Sequence, residues 1–203
     1  MNSDYFAAQY MTNAPTVAQA PPDYGSEVAF AGRSNSGKSS TINALTRQKQ
    51  LARVSKTPGR TQQLVFFEVT PAKRLVDLPG YGYAKVPLAV KAEWQAALEE
   101  YLMQRHSLKG LILVTDIRQA LTEFDDQMLA WCQAAELPVH VLLNKSDKLT
   151  PGAARQKCGA LKSTLLARYP NTSIQNFSAT AKQGLDELHA TLDLWLKPPV
   201  ESN

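Results

Sequence analysis

Three features of the sequence predict an α/β protein with a six-stranded, mainly parallel sheet flanked by about five helices. Short apolar runs alternate with helical patterns along the chain. The runs are nearly continuous rather than alternating, as strands buried on both faces require. The chemically distinctive motifs fall just after the runs, at the carboxyl ends of the predicted strands, where such sheets bind their ligands.

The elements follow in order. Residues 1–24 contain Pro15, Pro21 and Pro22 with little periodicity and are read as an N-terminal arm, helical before Pro15. Residues 25–203 are read as the one domain that a chain of 203 residues accommodates. Its strands are EVAFAG (27–32), LVFFEV (64–69), RLVDL (74–78), LILVTD (111–116), VHVLLN (139–144) and SIQNFS (173–178). Helices are expected over 37–47, about 87–106 with Trp94, Leu98, Tyr101 and Leu102 on one stripe, and about 122–135. A fourth opens at Thr150-Pro151, an N-cap followed by proline at the first helical position, and a fifth spans about 183–196 with Leu185, Leu188, Leu192 and Trp195 on one face.

Composition sets the class of partner. With 44% hydrophobic and 20% charged residues the chain can bury a sizeable core and lies far from disordered compositions. Residues 1–27 hold three acids and no bases, leaving fifteen acids against 22 bases in the remainder, which favours an anionic partner. Cys132 and Cys158 cannot make a disulfide framework, and no Cys/His cluster suggests a structural metal. The first residues lack a basic start and an apolar run, and no apolar stretch reaches the about 18 residues that span a bilayer. The expected location is the cytoplasm, with no membrane partner. His106, His140 and His189 show no catalytic pairing and are read as surface or core-edge residues.

After the first strand comes Gly32-Arg33-Ser34-Asn35-Ser36-Gly37-Lys38-Ser39, a full match to G-x-x-x-x-G-K-S/T leading into a helix. Backbone N–H groups converge on a polyphosphate only where glycines let the chain curl tightly, and the helix N-terminus adds a favourable dipole. Lys38 would reach the β- and γ-phosphates, and the Ser39 hydroxyl would ligate Mg²⁺. About 110 residues later, Asn144-Lys145-Ser146-Asp147 matches N-K-x-D at a strand's end. Guanine offers N1–H and a 2-amino group side by side, and the Asp147 carboxylate can accept both, whereas adenine presents no such pair. Asn144 would brace this loop on the phosphate loop, the Lys145 stem would cover the base, and the Ala179 amide, after Ser178, would reach the guanine O6.

Asp77-Leu78-Pro79-Gly80 fits D-x-x-G, with Asp77 on Mg²⁺ through water and the Gly80 amide on the γ-phosphate. A threonine completing the magnesium shell is expected in LARVSKTPGRTQQ; Thr61 is the first choice and Thr57 the second. Residues 45–62 carry Arg47, Lys49, Arg53, Lys56 and Arg60 with no acid, either a solvated loop or an RNA contact.

These residues resemble the EngB family of bacterial ribosome-assembly GTPases, of the Era-like group within the TRAFAC class of P-loop GTPases. The likeness rests on GRSNSGKSS, the P-G-R-T segment at 58–61, VDLPGYGYAKVP at 76–87, NKSDKL at 144–149 and FSA at 177–179, in order, over residues 25–197. It implies a Ras-like G domain that hydrolyses GTP to GDP with Mg²⁺, acts as a switch in late assembly of the large ribosomal subunit and is needed for normal cell division and septation. It further implies that Gly32 to Ser39 bind phosphate, that Gly59, Arg60, Thr61, Gln62 and Gln63 form the first switch, and that Asp77 to Gly80 form the second. Asn144 to Asp147 with Phe177, Ser178 and Ala179 would bind the base. The metal would fall to Ser39, Thr61 and Asp77, and the catalytic roles to Lys38, Thr61 and Gly80. The position after D-x-x-G, where many GTPases place a water-orienting glutamine, is Tyr81. A slow basal enzyme is therefore expected, with the likeness to Era-like enzymes implying a K⁺ ion held through Asn35 as activator. The sequence leaves three rivals: a P-loop kinase or ATPase, a nucleotide-gated binding module with negligible turnover, and an Era-like GTPase that acts on tRNA, the small subunit or the membrane. A monomer contacting rRNA and ribosomal proteins of the large subunit is the expected working form.

Overall fold

The computed structural model describes residues 3–52, 63–81 and 88–197. Strand β2 (Ser26–Ala31) is buried at all six positions, which only a strand covered on both faces can be. Its alternate residues separate into two cores. Ala29 and Ala31 pack in one with Leu98, Tyr101, Met128, Leu129, Cys132 and Leu165. Val28 and Phe30 pack in the other with Ile42, Leu45, Leu185, Leu188 and Leu192. The same division runs through Leu111/Leu113 against Ile112/Val114, as the two-residue period of a strand dictates.

The sheet therefore has helices on both faces. In chain order the elements are β1 (Gln9–Ala14), β2, α1 (Lys38–Leu45), β3 (Leu64–Thr70), β4 (Lys73–Asp77), α2 (Leu88–Gln104), β5 (Leu108–Asp116), α3 (Glu123–Ala134), β6 (Val139–Asn144), α4 (Pro151–Arg168), β7 (Thr172–Asn176) and α5 (Leu185–Trp195). The strand order is β1-β3-β4-β2-β5-β6-β7, with β1–β3 and β3–β4 antiparallel and the remaining pairs parallel. Local chemistry sets the helix starts. The Thr122 hydroxyl accepts from the Asp125 amide in a capping box at α3, and the Thr150 hydroxyl accepts from the Ala153 amide ahead of Pro151 in α4.

The sheet has seven strands rather than the expected six, and the addition comes from the expected arm. The arm is helical only over Ser3–Ala7, a single short 3-10 helix, and Gln9–Ala14 is a strand on the sheet edge. Only Ala14 of its residues is fully buried, so no apolar periodicity marks it; its backbone pairs with β3 from Ala14↔Leu64 to Gln9↔Glu68. Of the histidines expected at the surface or the core edge, His106 is exposed while His140 and His189 are buried, and burial lowers the pKa of both. No described helix is long and apolar enough to cross a membrane.

The amino end of β2 is fastened by an ion cluster. The fully buried Glu27 carboxylate accepts from Arg74 at 2.8 Å, from Arg105 at 2.7 and 3.0 Å, and from the Tyr101 hydroxyl at 3.2 Å. It ties β2, β4 and α2 together at the opposite end of the sheet from the motif-bearing loops.

Candidate nucleotide-binding site

The loops at the carboxyl ends of β2, β4, β5, β6 and β7 converge, and they carry the motifs. Between β2 and α1 the chain turns through Gly37, whose φ of 97° a side chain rarely adopts; a Cβ there would also lie 2.2 Å from Asn144 Nδ2. At Gly32 a Cβ would meet the Val114 carbonyl oxygen at 2.4 Å. Both glycines are thus required by close approach within the chain itself. Asn35 sits at φ 65°, a left-handed conformation that asparagine tolerates better than most residues. The Ser36 hydroxyl is buried and has no hydrogen-bond partner among the described residues.

The base-loop residues reach the phosphate loop directly. Asn144 Nδ2 donates to the Ser36 carbonyl at 2.8 Å, and Lys145 Nζ donates to the Asn35 carbonyl at 2.7 Å. Lys145 has a second anchor in Asp116 at the end of β5, at 3.0 Å. Asp116 is itself gripped by Arg118 at 2.7 and 2.9 Å, and these hydrogen bonds, with that of Lys145, hold its carboxyl well below the usual range against the opposing effect of partial burial. The Ser178 hydroxyl donates to Asp147 Oδ1 at 2.6 Å and holds that carboxylate ionised below its ordinary pKa. Phe177 is fully buried, and its carbonyl accepts from the Ser146 amide at 3.0 Å and hydroxyl at 2.8 Å. The Ala179 amide, expected to face a guanine O6, donates to Asn144 Oδ1 at 3.2 Å.

On the β4 side, Lys38 and Asp77 form an ion pair, both side chains nearly buried. Leu78 and Pro79 are buried, and Gly80 lies against the backbone of Ser34. The Ser34 amide donates to the Tyr81 carbonyl at 2.8 Å, stitching the chain after D-x-x-G to the phosphate loop. The Tyr81 side chain turns inward, lies tilted against Phe124 with ring centres 4.3 Å apart and donates its hydroxyl to Asp125. Burial foremost, with the Asp125 charge, raises its pKa well above that of an ordinary phenol.

Gly59, Arg60, Thr61 and Gln62 of the expected first switch lie outside the described residues, as do Thr57, Arg53 and Lys56. Gln63 lies within them, half-buried and hydrogen-bonded to Asn13. Sequence reasoning missed Asp116 as the second anchor of Lys145 and Asp125 as the partner of Tyr81. An acid closing the apolar strand LILVTD was a signal for the first; the second belongs to a helix cap far along the chain and left none.

Known proteins place this geometry. The model of a family described as 50S ribosome-binding GTPase matches residues 27–145. The probable GTP-binding protein EngB of Enterobacter sp. (strain 638) is 52% identical over 99% of this chain and 98% of its own. The chain belongs to the EngB family. It is a GTP-binding protein and a GTPase of the P-loop class. A second EngB relative, from Nitrosococcus oceani, is 54% identical over 97% of this chain and 98% of its own. Among solved structures, that of a probable GTP-binding protein engB covers 84% of this chain and 98% of its own with a TM-score of 0.66 and 18% identity. Era in complex with MgGDPNP and nucleotides 1506–1542 of 16S ribosomal RNA covers 89% of this EngB-family chain and 59% of its own with a TM-score of 0.64 and 20% identity, a likeness of fold.

Proposed function

We infer that the chain is a guanine-nucleotide switch that hydrolyses GTP with Mg²⁺ and acts on the large ribosomal subunit late in its assembly, with cell division and septation depending on that step. The observation that carries the nucleotide reading is the double tether of the base loop to the phosphate loop, Asn144 to Ser36 and Lys145 to Asn35. It fixes the offset between Asp147, which would select guanine, and the Gly32–Ser39 turn, which would hold phosphates. The ribosomal reading is supported by the description of the matching family model and by the excess of bases beyond residue 27. Residues 25–203 would act as one G domain, working in the cytoplasm as a monomer.

One hydroxyl at Ser39 and one carboxylate at Asp77 are hard oxygen donors of the kind Mg²⁺ accepts while keeping waters, with Thr61 proposed as a third. When bound, the ion supplies positive charge that offsets the charge spreading over the transferring phosphoryl oxygens. Lys38 and Asp77 now satisfy each other. A metal-triphosphate ligand would exchange partner for partner, phosphate oxygens for Lys38 and cation for Asp77, so neither charge is left uncompensated at any stage. Lys38 then holds the phosphates, and the Gly80 amide, placed beside Ser34, donates to the γ-phosphate. Tyr81 gives its hydroxyl to Asp125 and is not available to orient an attacking water, so a slow basal rate is expected.

The test is a change of base. In Asp147→Asn the amide turns a donor toward the guanine 2-amino group, whereas xanthine offers an oxygen there. GTP should bind about ten- to a hundredfold more weakly, the equivalent of losing a buried hydrogen bond and opposing two donors, and XTP should bind better than it does to the parent. An unchanged GTP-over-XTP preference in competition binding would mean that the base lies elsewhere.

A further inference from the structure

Strand β1 contacts one of the segments assigned above to the switches, and the turn after it shares a cleft with the other. Asn13 Nδ2 donates to Gln63 Oε1, the side chain with which the proposed first switch ends. The next residue, Ala14, is fully buried and pairs with Leu64, the first residue of β3. Beyond it, Pro15, Thr16 and Val17 line a narrow cleft together with Leu64, with Pro79 of D-x-x-G, and with Trp94 and Leu98 of α2. Within five residues the chain thus passes from the end of one switch to the middle of the other.

How this strand is held bears on what it can do. From Gln9 to Asn13 its side chains face solvent or are half-buried, Tyr10 being 58% exposed, so apolar burial is confined to Ala14 at the switch end. The pairing register with β3 also breaks between Tyr10 and Thr12. An edge strand fastened by backbone bonds and one small buried side chain belongs to the low-stability part of a fold, the part whose opening nearby ligands can bias.

We propose that Asn13 and the Ala14–Val17 segment are positioning residues that strap Gln63 to Pro79 and so tie recognition of the γ-phosphate at the second switch to the placement of Gln63 at the end of the first. The proposal rests on the nucleotide-switch reading above. A triphosphate calls on both switches, whereas a diphosphate leaves the γ-phosphate contacts of Gly80 and the first switch unused. The strap holds Gln63 in place before the ligand arrives, a preorganisation that favours the ligand calling on both switches. Its loss should therefore weaken the triphosphate and spare the diphosphate.

The experiment measures the affinities of the full chain for GDP and for a non-hydrolysable GTP analogue, both with Mg²⁺, in the parent, Asn13→Ala, Gln63→Ala and the double variant. Asn13→Ala should lower the analogue-to-GDP affinity ratio about three- to tenfold, the worth of one hydrogen bond, with GDP affinity unchanged. The double variant should lose no more than Gln63→Ala alone, because the two side chains act through one bond. Amide exchange over Gln9–Ala14 should be slower with the analogue than with GDP in the parent and equal in the two states in Asn13→Ala. An unchanged ratio, equal losses for both nucleotides as a purely structural role would give, additive losses in the double variant, or state-independent exchange in the parent would each overturn the strap. Failure of all four proteins to bind GDP would instead overturn the nucleotide site itself.

Discussion

Tyr81 shows how a residue in a reactive position can be withdrawn from the reaction. It follows D-x-x-G, yet its ring lies among Phe124 and Trp94 and its hydroxyl is spent on Asp125. On the proposed mechanism, developing charge would be offset by Lys38, the Gly80 amide and whatever binds near Asn35. If Asn35 helps hold a K⁺ ion beside the transferring phosphoryl group, exchanging Na⁺ for K⁺ at fixed ionic strength should raise kcat, because the cation stabilises charge that exists only in the transition state. The positive φ of Asn35 makes Asn35→Gly the cleaner variant, since an alanine there would add backbone strain to the loss of the carboxamide. Turnover measured in the two salts should show the stimulation in the parent and not in Asn35→Gly; equal rates in both salts for the parent would remove K⁺ from the account.

Among the elements, those with buried faces were legible and the edge was not. The runs VHVLLN and LILVTD read as strands because both faces of β5 and β6 enter a core, and the leucine stripe of α5 because one face does. Strand β1 carries its information in backbone pairing with β3, whose partner residues lie fifty or more positions away, so its own side chains show no period. The phosphate and base motifs were legible for the opposite reason: each is a local turn with fixed spacing. Their tether through Asn144 follows from β2 and β6, separated only by β5, ending on the same side of the sheet. The Glu27 cluster was not anticipated either, because its members come from three elements. Glu27→Gln leaves Arg74 and Arg105 sharing an acceptor without charge in a buried place, and should cost about 3–5 kcal/mol of unfolding free energy in a denaturant titration. A loss below about 1 kcal/mol would mean that the cluster is solvated and does not anchor β2.

At the scale of the molecule, the two ends of the sheet divide the work. The Glu27 cluster fastens β2, β4 and α2 at one end, while the motif loops gather at the other, with the strap beside them. The acid-free stretch from Leu45 to Gln62 runs from the end of α1 into the proposed first switch, so nucleotide state could govern how its five basic side chains meet an anionic partner. Contact with rRNA phosphates releases counterions and makes affinity fall steeply with salt. Changing Arg53 and Lys56 together to alanine should then flatten the log-log salt slope by about one to two units while leaving GDP affinity intact. The most direct measurement is co-sedimentation of the chain with purified large and small ribosomal subunits across a salt series, with GDP and with a non-hydrolysable GTP analogue. The account predicts tighter binding to the large subunit with the analogue, and a salt slope reduced in the double variant. Binding that ignores nucleotide and salt, or that favours the small subunit, would contradict it.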